Sequence, residues 1–255
     1  MNIRSLLLVG IAAGAQLAAV AQSAPDSTAS KPAVVAELFT SEGCSSCPPA
    51  DAILAEIDQH KTFNGVPVIV LSEHVDYWDH DGWRDPFSSE IWTQRQNFYN
   101  LHFRLDNIYT PQMVVDGTQQ VNGSIGPQVA HAIETAAAAQ GKIAIAVTQA
   151  SWDGDVLHAT ISVADLGSAK GANLYAVLAD DEDTSSVERG ENAGHTLKNV
   201  SVVRVLQKVA SLHGPYSGDV QVKLPHGVSH TKMRLIVFAQ KGENGQIFGA
   251  TQREV

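Results

Sequence analysis

Three things are scarce in this sequence. Cations are outnumbered, with 17 Lys and Arg against 27 Asp and Glu and a formal charge of −10. A surface of that sign repels phosphate backbones, which argues against nucleic acid as a partner. Long apolar runs are scarce as well: beyond Val20 no stretch is long and apolar enough to cross a bilayer core of about 30 Å. Cysteine is scarce too, with two in 255 residues. Both lie in EGCSSCPPAD, residues 42–51, separated by two serines and followed at once by two prolines.

The single long apolar run opens the chain. Arg4 precedes Leu6 to Val20, which closes on Ala19-Val20-Ala21, the small-x-small pattern of signal-peptidase cleavage. Residues 1–21 therefore read as a signal peptide cleaved near Ala21, giving a secreted or periplasmic chain with no stable membrane insertion afterwards. Losing Arg4 takes the formal charge from −10 to −11. Residues 22–32, QSAPDSTASKP, are small, polar and aperiodic, and read as a flexible linker.

Composition changes near residue 142. Before it, Val34–Phe39 reads as a strand, and Ala50, Ile53, Leu54 and Ile57 mark one face of a helix. Val66–Leu71 reads as a buried strand, and Asp85-Pro86 as the opening of a helix that runs to about Phe103. Met113–Val115 and Gln119–Val121 flank an Asp116-Gly117 hairpin turn. A last helix starts at Pro127 and is stopped by Gly141. The order β-α-β-α-β-β-α is that of an α/β thioredoxin-like domain over residues 33–142. After it, about seven short strand candidates separated by turn residues predict a β-rich, sandwich-like domain over 143–255. Within that part the stretch from Asp180 to Gly194, DDEDTSSVERGENAG, reads as a long acidic loop.

The cysteine pair falls where the first strand passes into the first helix. With Ser41 or Cys44 as the helix cap, unpaired N–H groups and the helix dipole would stabilise a Cys44 thiolate, and Cys47 would resolve a mixed disulfide. A stabilising staple is the poorer reading, because closing so short a loop removes only about 2 kcal/mol of unfolded-state entropy. Three readings stay open at this point: a redox centre, half of a metal site, or an inert disulfide. Thr110-Pro111, directly before the third strand, stands where a cis-proline loop facing such a disulfide belongs.

Larger stretches carry a specific likeness. Glu37 to Asp51 (ELFTSEGCSSCPPAD), His74 to Trp78 (HVDYW), Gly82-Trp83, Asp85 to Phe87 (DPF), Tyr109 to Val115 (YTPQMVV) and Arg189 to Gly194 (RGENAG) with Val202-Val203-Arg204 are the residues concerned. Together they resemble the exported bacterial thioredoxin-like proteins of domain-of-unknown-function family 1223. That resemblance implies a thioredoxin fold carrying an extra β-rich part. Two positions depart from it: Glu42 replaces an expected uncharged Gln, and His80-Asp81 a more apolar pair. A carboxylate beside Cys44 opposes thiolate formation.

The insert HVDYWDHDGWRDPF, residues 74–87, is a metal candidate by composition. A calcium-loop template fails, since it places Tyr77 and Ser88 at ligand positions. Copper or zinc would use His74 or His80 with Cys44 and Cys47. The plainer account has Trp78, Trp83 and Phe87 pin the loop, with Asp76, Asp79 and Asp81 solvated and Asp85 capping the helix. Glu37 lies inside an apolar strand, from which it would relay a proton to Cys47.

The expectation is thus a thiol-disulfide oxidoreductase acting on protein thiols or disulfides. Cys44, Cys47, Thr110, Pro111, Glu37 and His74 would form its site, the sulfurs lying open at the start of a helix, and no cofactor is implied. Its alternatives are a copper or zinc metallochaperone and a non-catalytic binding module.

Overall fold

The computed structural model describes residues 33–255. The signal peptide and the linker expected from the sequence lie outside the described residues. The first part of the chain runs β1 (Val34–Thr40), α1 (Pro48–His60), β2 (Thr62–Phe63), β3 (Val66–His74) and α2 (Glu90–Phe103). It continues with the hairpin β4 (Gln112–Val115) and β5 (Gln119–Asn122) and then α3 (Gly126–Ala137). The remainder is built from strands: β6 (Ala146–Asp153), β7 (Val156–Val163), β8 (Asn173–Ser186), β9 (Thr196–Ser211), β10 (Tyr216–Lys223), β11 (Met233–Gln240) and β12 (Ile247–Glu254).

These strands form one large mixed sheet and one small one. The large sheet has the order β12-β11-β8-β9-β3-β1-β4-β5, with β2 paired off β3; the small sheet has the order β10-β7-β6. β1 and β3 run parallel, and β4 runs antiparallel to β1. The boundary expected at residue 142 does not divide the sheet, because β9 joins the edge of β3 with Ser72 opposite Val202. One hydrogen-bonded layer thus carries both composition types.

Burial explains the layers. β1 is buried at all seven positions, as a central strand covered on both faces must be. On one face α1 and α3 bury Leu54, Ile57, Val129 and Ile133 against Val34, Ala36 and Leu38. On the other, Trp92 and Tyr99 of α2 cover Val35, Ile69, Phe39 and Val114. β7 alternates buried and half-buried residues along its whole length, and its inner face packs with Leu174, Ala176, Leu235 and Val237. The second half is thus mostly strands, shared between the large mixed sheet and a second, small one.

Two expectations change. α2 begins at Glu90, where the Ser89 hydroxyl accepts the Ile91 N–H, and not at Asp85-Pro86. The acidic stretch is no loop through Ser186: Asp180–Ser186 continue β8 and pair with Thr196–Val202 of β9. Its polarity reflects a two-stranded ribbon leaving the core, held by backbone pairing and an exposed Lys198–Glu182 ion pair at 2.7 Å.

Candidate functional site

The cysteines sit at the mouth of α1. Pro48 and Pro49 fill the helix's opening positions, where a missing N–H costs nothing. Cys47 itself is the cap residue, in αR geometry and without a side-chain cap, so neither Ser41 nor Cys44 has the capping role expected. Cys44 lies one turn earlier, its carbonyl accepting the Cys47 N–H at 3.2 Å. Cys44 and Cys47 are joined in a disulfide, with Cα atoms 5.5 Å apart.

The open sulfurs expected from the sequence are not found. Both cysteines are fully buried, while Ser45 and Ser46 between them are exposed. The cover is identifiable. The Thr110–Pro111 bond is cis, and the Thr110 hydroxyl donates to Cys44 Sγ at 3.3 Å. Trp78 Nε1 donates in turn to Thr110 Oγ1 at 2.8 Å. Trp78 also closes on Gly43, where an added Cβ would stand 3.0 Å from Trp78 Cβ. Ser46 Oγ lies 3.4 Å from Cys44 Sγ and 3.5 Å from the Thr110 carbonyl.

The tip of the β8–β9 ribbon clamps the same loop. Asn192 Nδ2 donates to the carbonyls of Glu42 and Cys44 at 2.8 and 3.0 Å, and the Ser45 N–H donates to Glu191 Oε2 at 3.1 Å. The approach is close enough to require glycine at 190, which has φ +80° and would put a Cβ 3.0 Å from the Asp81 carbonyl. Asn199 Nδ2 and Trp83 Nε1 donate to the two oxygens of Glu42 at 3.0 and 2.9 Å. Burial and the neighbouring Asp85 push the Glu42 carboxyl up.

Behind the disulfide lies a cluster of acids around one imidazole. His74 Nδ1 meets Asp85 Oδ2 at 2.7 Å, and both side chains are buried. Asp85 also accepts the N–H groups of Glu42 and Phe87, each at 2.8 Å. It therefore holds the insert to the cysteine loop and does not cap α2. Burial pushes His74 down, but Asp85, Asp51 and Glu42 outweigh it and leave the imidazole above its ordinary value. Burial likewise raises Asp85, yet the His74 charge and the N–H donors leave it below the carboxylate range. Asp51, one helical turn after Cys47, accepts from Thr40 Oγ1 at 2.8 Å, and burial pushes its carboxyl up to about 6.

Glu37 belongs to a different cluster. Arg95 Nε donates to Glu37 Oε2 at 2.7 Å and the Tyr99 hydroxyl to Oε1 at 2.5 Å. Arg95 also stands 3.3 Å from Glu73, whose carboxyl is pushed well up by burial and by Glu37 beside it. These partners satisfy Glu37 in the sheet under α2, and among the described residues neither cysteine bonds to it. Of the sequence-based site residues, Cys44, Cys47, Thr110, Pro111 and His74 gather at one end of the sheet; Glu37 does not join them. Asp76 and Asp79 are not merely solvated, since they accept from Thr93 Oγ1 and Ser88 Oγ at 2.6 and 2.8 Å. His80 is exposed. Among the described residues no three His, Cys, Asp or Glu side chains come together as a metal-holding group. Sequence reasoning missed Asp51, Asn192 and Glu191; the spacing of Asp51 four residues after Cys47 was the one available signal.

A family model described as a protein of unknown function, DUF1223, matches residues 35–240, and the chain belongs to that family. No curated protein matches. Among solved structures the chain is similar to protein AGR_C_4864 from Agrobacterium tumefaciens, at 26% identity and TM-score 0.64 over 86% of this chain and 92% of that one. HBP35 of Porphyromonas gingivalis shares the fold at 19% identity and TM-score 0.60, covering 88% of this chain and 76% of that one.

Proposed function

We propose that this member of the DUF1223 family is an exported thioredoxin-like protein that exchanges disulfides with protein partners through Cys44 and Cys47. The observation that carries the reading is the contact of Cys44 Sγ with Thr110 Oγ1 at the N-terminus of α1. A sulfur at that position receives the helix's unpaired N–H field, which favours a thiolate leaving group. Support for the thioredoxin-like part comes from the strand order β3-β1-β4-β5, with β1 parallel to β3 and the β4–β5 hairpin antiparallel.

The chemistry balances as two successive exchanges. With the chain oxidised, a partner thiolate attacks Cys44 Sγ; the partner–Cys44 bond forms, the Cys44–Cys47 bond breaks, and its electron pair leaves on Cys47, which is then protonated. A second partner thiolate attacks the partner's own sulfur in the mixed disulfide and releases Cys44 as thiolate. The partner loses two electrons and the chain gains them. In the other direction the Cys44 thiolate attacks a partner disulfide and Cys47 resolves the adduct. Either direction requires the Trp78–Thr110 cover to move aside, since the sulfur is otherwise sealed. Asp51, in the first turn of α1 after Cys47, takes the proton role the sequence had given to Glu37.

The test is a trap. Cys47→Ser, presented with a reduced-and-reoxidised extract of exported proteins, is expected to accumulate mixed disulfides on Cys44 that a reductant releases, while Cys44→Ser accumulates none. Trapping on Cys47 alone would invert the roles. Absence of adducts from both variants, with the wild-type disulfide inert to a partner dithiol, would leave the pair a structural bond.

A further inference from the structure

A groove of about 780 Å³ runs along α1, starting at Pro48 immediately after Cys47. One wall is α1, with Asp51, Ala52 and Glu56. The other is β9, which contributes Thr196, Leu197 and Lys198. Successive strand residues point to opposite faces, so a groove touching all three borders the edge of the strand and not one face of it. That edge is free. β9 meets β3 at Ser72 opposite Val202, and at Ser201 it turns away: φ there is +50° and the Ser201 hydroxyl donates to the Val70 carbonyl at 2.6 Å. Among the described residues no strand pairs with the outer edge of Thr196–Val200.

Charge selects what fits. The groove is lined by five carboxylates, Asp51, Glu56, Asp58, Asp181 and Glu182, and two cations, Lys198 and Arg234. Arg234 is occupied by Asp58 and Asp181, at 2.5 and 2.7 Å, and Lys198 by Glu182. Glu56 is exposed, and among the described residues no ion pair forms on it, whereas the Asp51 carboxyl is turned to the Thr40 hydroxyl. The unpaired charge facing the groove is therefore negative, at Glu56 on α1.

Resting on the exchange reading above, we propose that this groove docks an extended, Lys- or Arg-bearing segment of the partner protein, which adds to the free edge of β9 and lies along α1. Strand addition satisfies the unpaired backbone groups of Thr196–Val200, and alternate side chains of the guest then point to small apolar positions such as Ala52 and to the carboxylates. Docking on the β-rich half sets the partner's sulfur at the Pro48 end, so the second half of the chain selects partners for the first.

Fluorescence anisotropy tests this with a short fluorescein-labelled peptide alternating valine and lysine, beside its valine–glutamate counterpart. The chain carrying both Cys44→Ser and Cys47→Ser is used, so binding is read without thiol chemistry. The lysine peptide is expected to bind and to weaken with salt, the glutamate peptide to bind at least about tenfold more weakly, and Glu56→Lys to weaken the lysine peptide about tenfold. Amide NMR shifts should move at Thr196–Val200. Equal binding of both peptides, indifference to Glu56→Lys with an unchanged circular dichroism spectrum, or shifts that miss Thr196–Val200 would overturn the proposal. Exchange activity without peptide binding sinks the groove alone; binding without exchange sinks the redox reading and leaves the groove standing.

Discussion

Asn192 and Cys44 are 148 residues apart in the chain, yet the Asn192 amide donates to the Cys44 carbonyl at 3.0 Å while also holding the Glu42 carbonyl at 2.8 Å. One buried side chain thus fixes the loop that presents the disulfide. Asn192→Ala removes both bonds; the Cys44 carbonyl keeps the Cys47 N–H, but the buried Glu42 carbonyl is left without a donor, at a cost of roughly 1–3 kcal/mol. The same loss lowers the free energy of opening the cysteine loop, and each 1.4 kcal/mol is tenfold in a population. Asn192→Ala is therefore expected to lower the urea midpoint and to speed reduction of the disulfide by dithiothreitol by about tenfold. A slower or unchanged reduction rate with a lowered midpoint would show that the ribbon tip stabilises the fold without governing access to the sulfurs.

The buried ion pair separates structure from chemistry. Arg95 is the only cation in contact with Glu37 and Glu73 among the described residues, and all three side chains are buried. Removing it with Arg95→Met strands a carboxylate in the core, which costs about 3–5 kcal/mol when a buried pair loses one member. Glu37→Gln costs less, because Glu73 can take the ionised role beside Arg95. If Asp51 and not Glu37 serves Cys47, Glu37→Gln keeps the exchange rate and its pH profile within about twofold of wild type. Stopped-flow thiol exchange beside chemical denaturation distinguishes the two. A shifted pH profile in Glu37→Gln would return the proton role to Glu37.

Much of this was legible in the sequence, and the misses share a cause. Local signals sufficed for the elements: the i, i+3, i+4, i+7 face of α1, the Asp116-Gly117 turn, and the alternation of Val156–Val163. The CxxC pair and Thr110-Pro111 were found from short-range pattern as well. What failed depended on residues far apart in the chain. Asp180–Ser186 has no apolar period to mark it as a strand, because its stability comes from backbone pairing with Thr196–Val202. Asp85 looks like a helix cap until His74 and the Glu42 N–H are seen to converge on it. Burial of Cys44 required Trp78 and Thr110 to meet across 32 residues, which no spacing rule conveys.

The acid cluster behind the disulfide makes stability fall as pH rises, in two separable windows. Asp51 titrates near 6 in the fold against an ordinary 3.8, so the folded chain holds a proton that the unfolded chain has released between those values. An excess of protons on the folded side means that unfolding free energy declines with pH across that interval. Asp51→Asn keeps an oxygen for Thr40 Oγ1 but carries no titration, and is expected to make the decline in stability between about pH 4 and about pH 6 shallower. His74 has the opposite charge type and a folded value raised above 6.5, so its contribution is full below 6.5 and is lost as pH climbs through the raised value. Asp85, held below 3.8, gives its contribution above 3.8 and loses it only in stronger acid. His74→Gln should therefore cost most under mildly acidic conditions and progressively less toward alkaline pH, leaving the lower window to Asp51. Urea unfolding of the three chains across that range checks both signs. A wild-type stability that rises between about pH 4 and about pH 6, unaltered by Asp51→Asn, would show that Asp51 is ionised in the fold and cannot hold the proton that Cys47 needs.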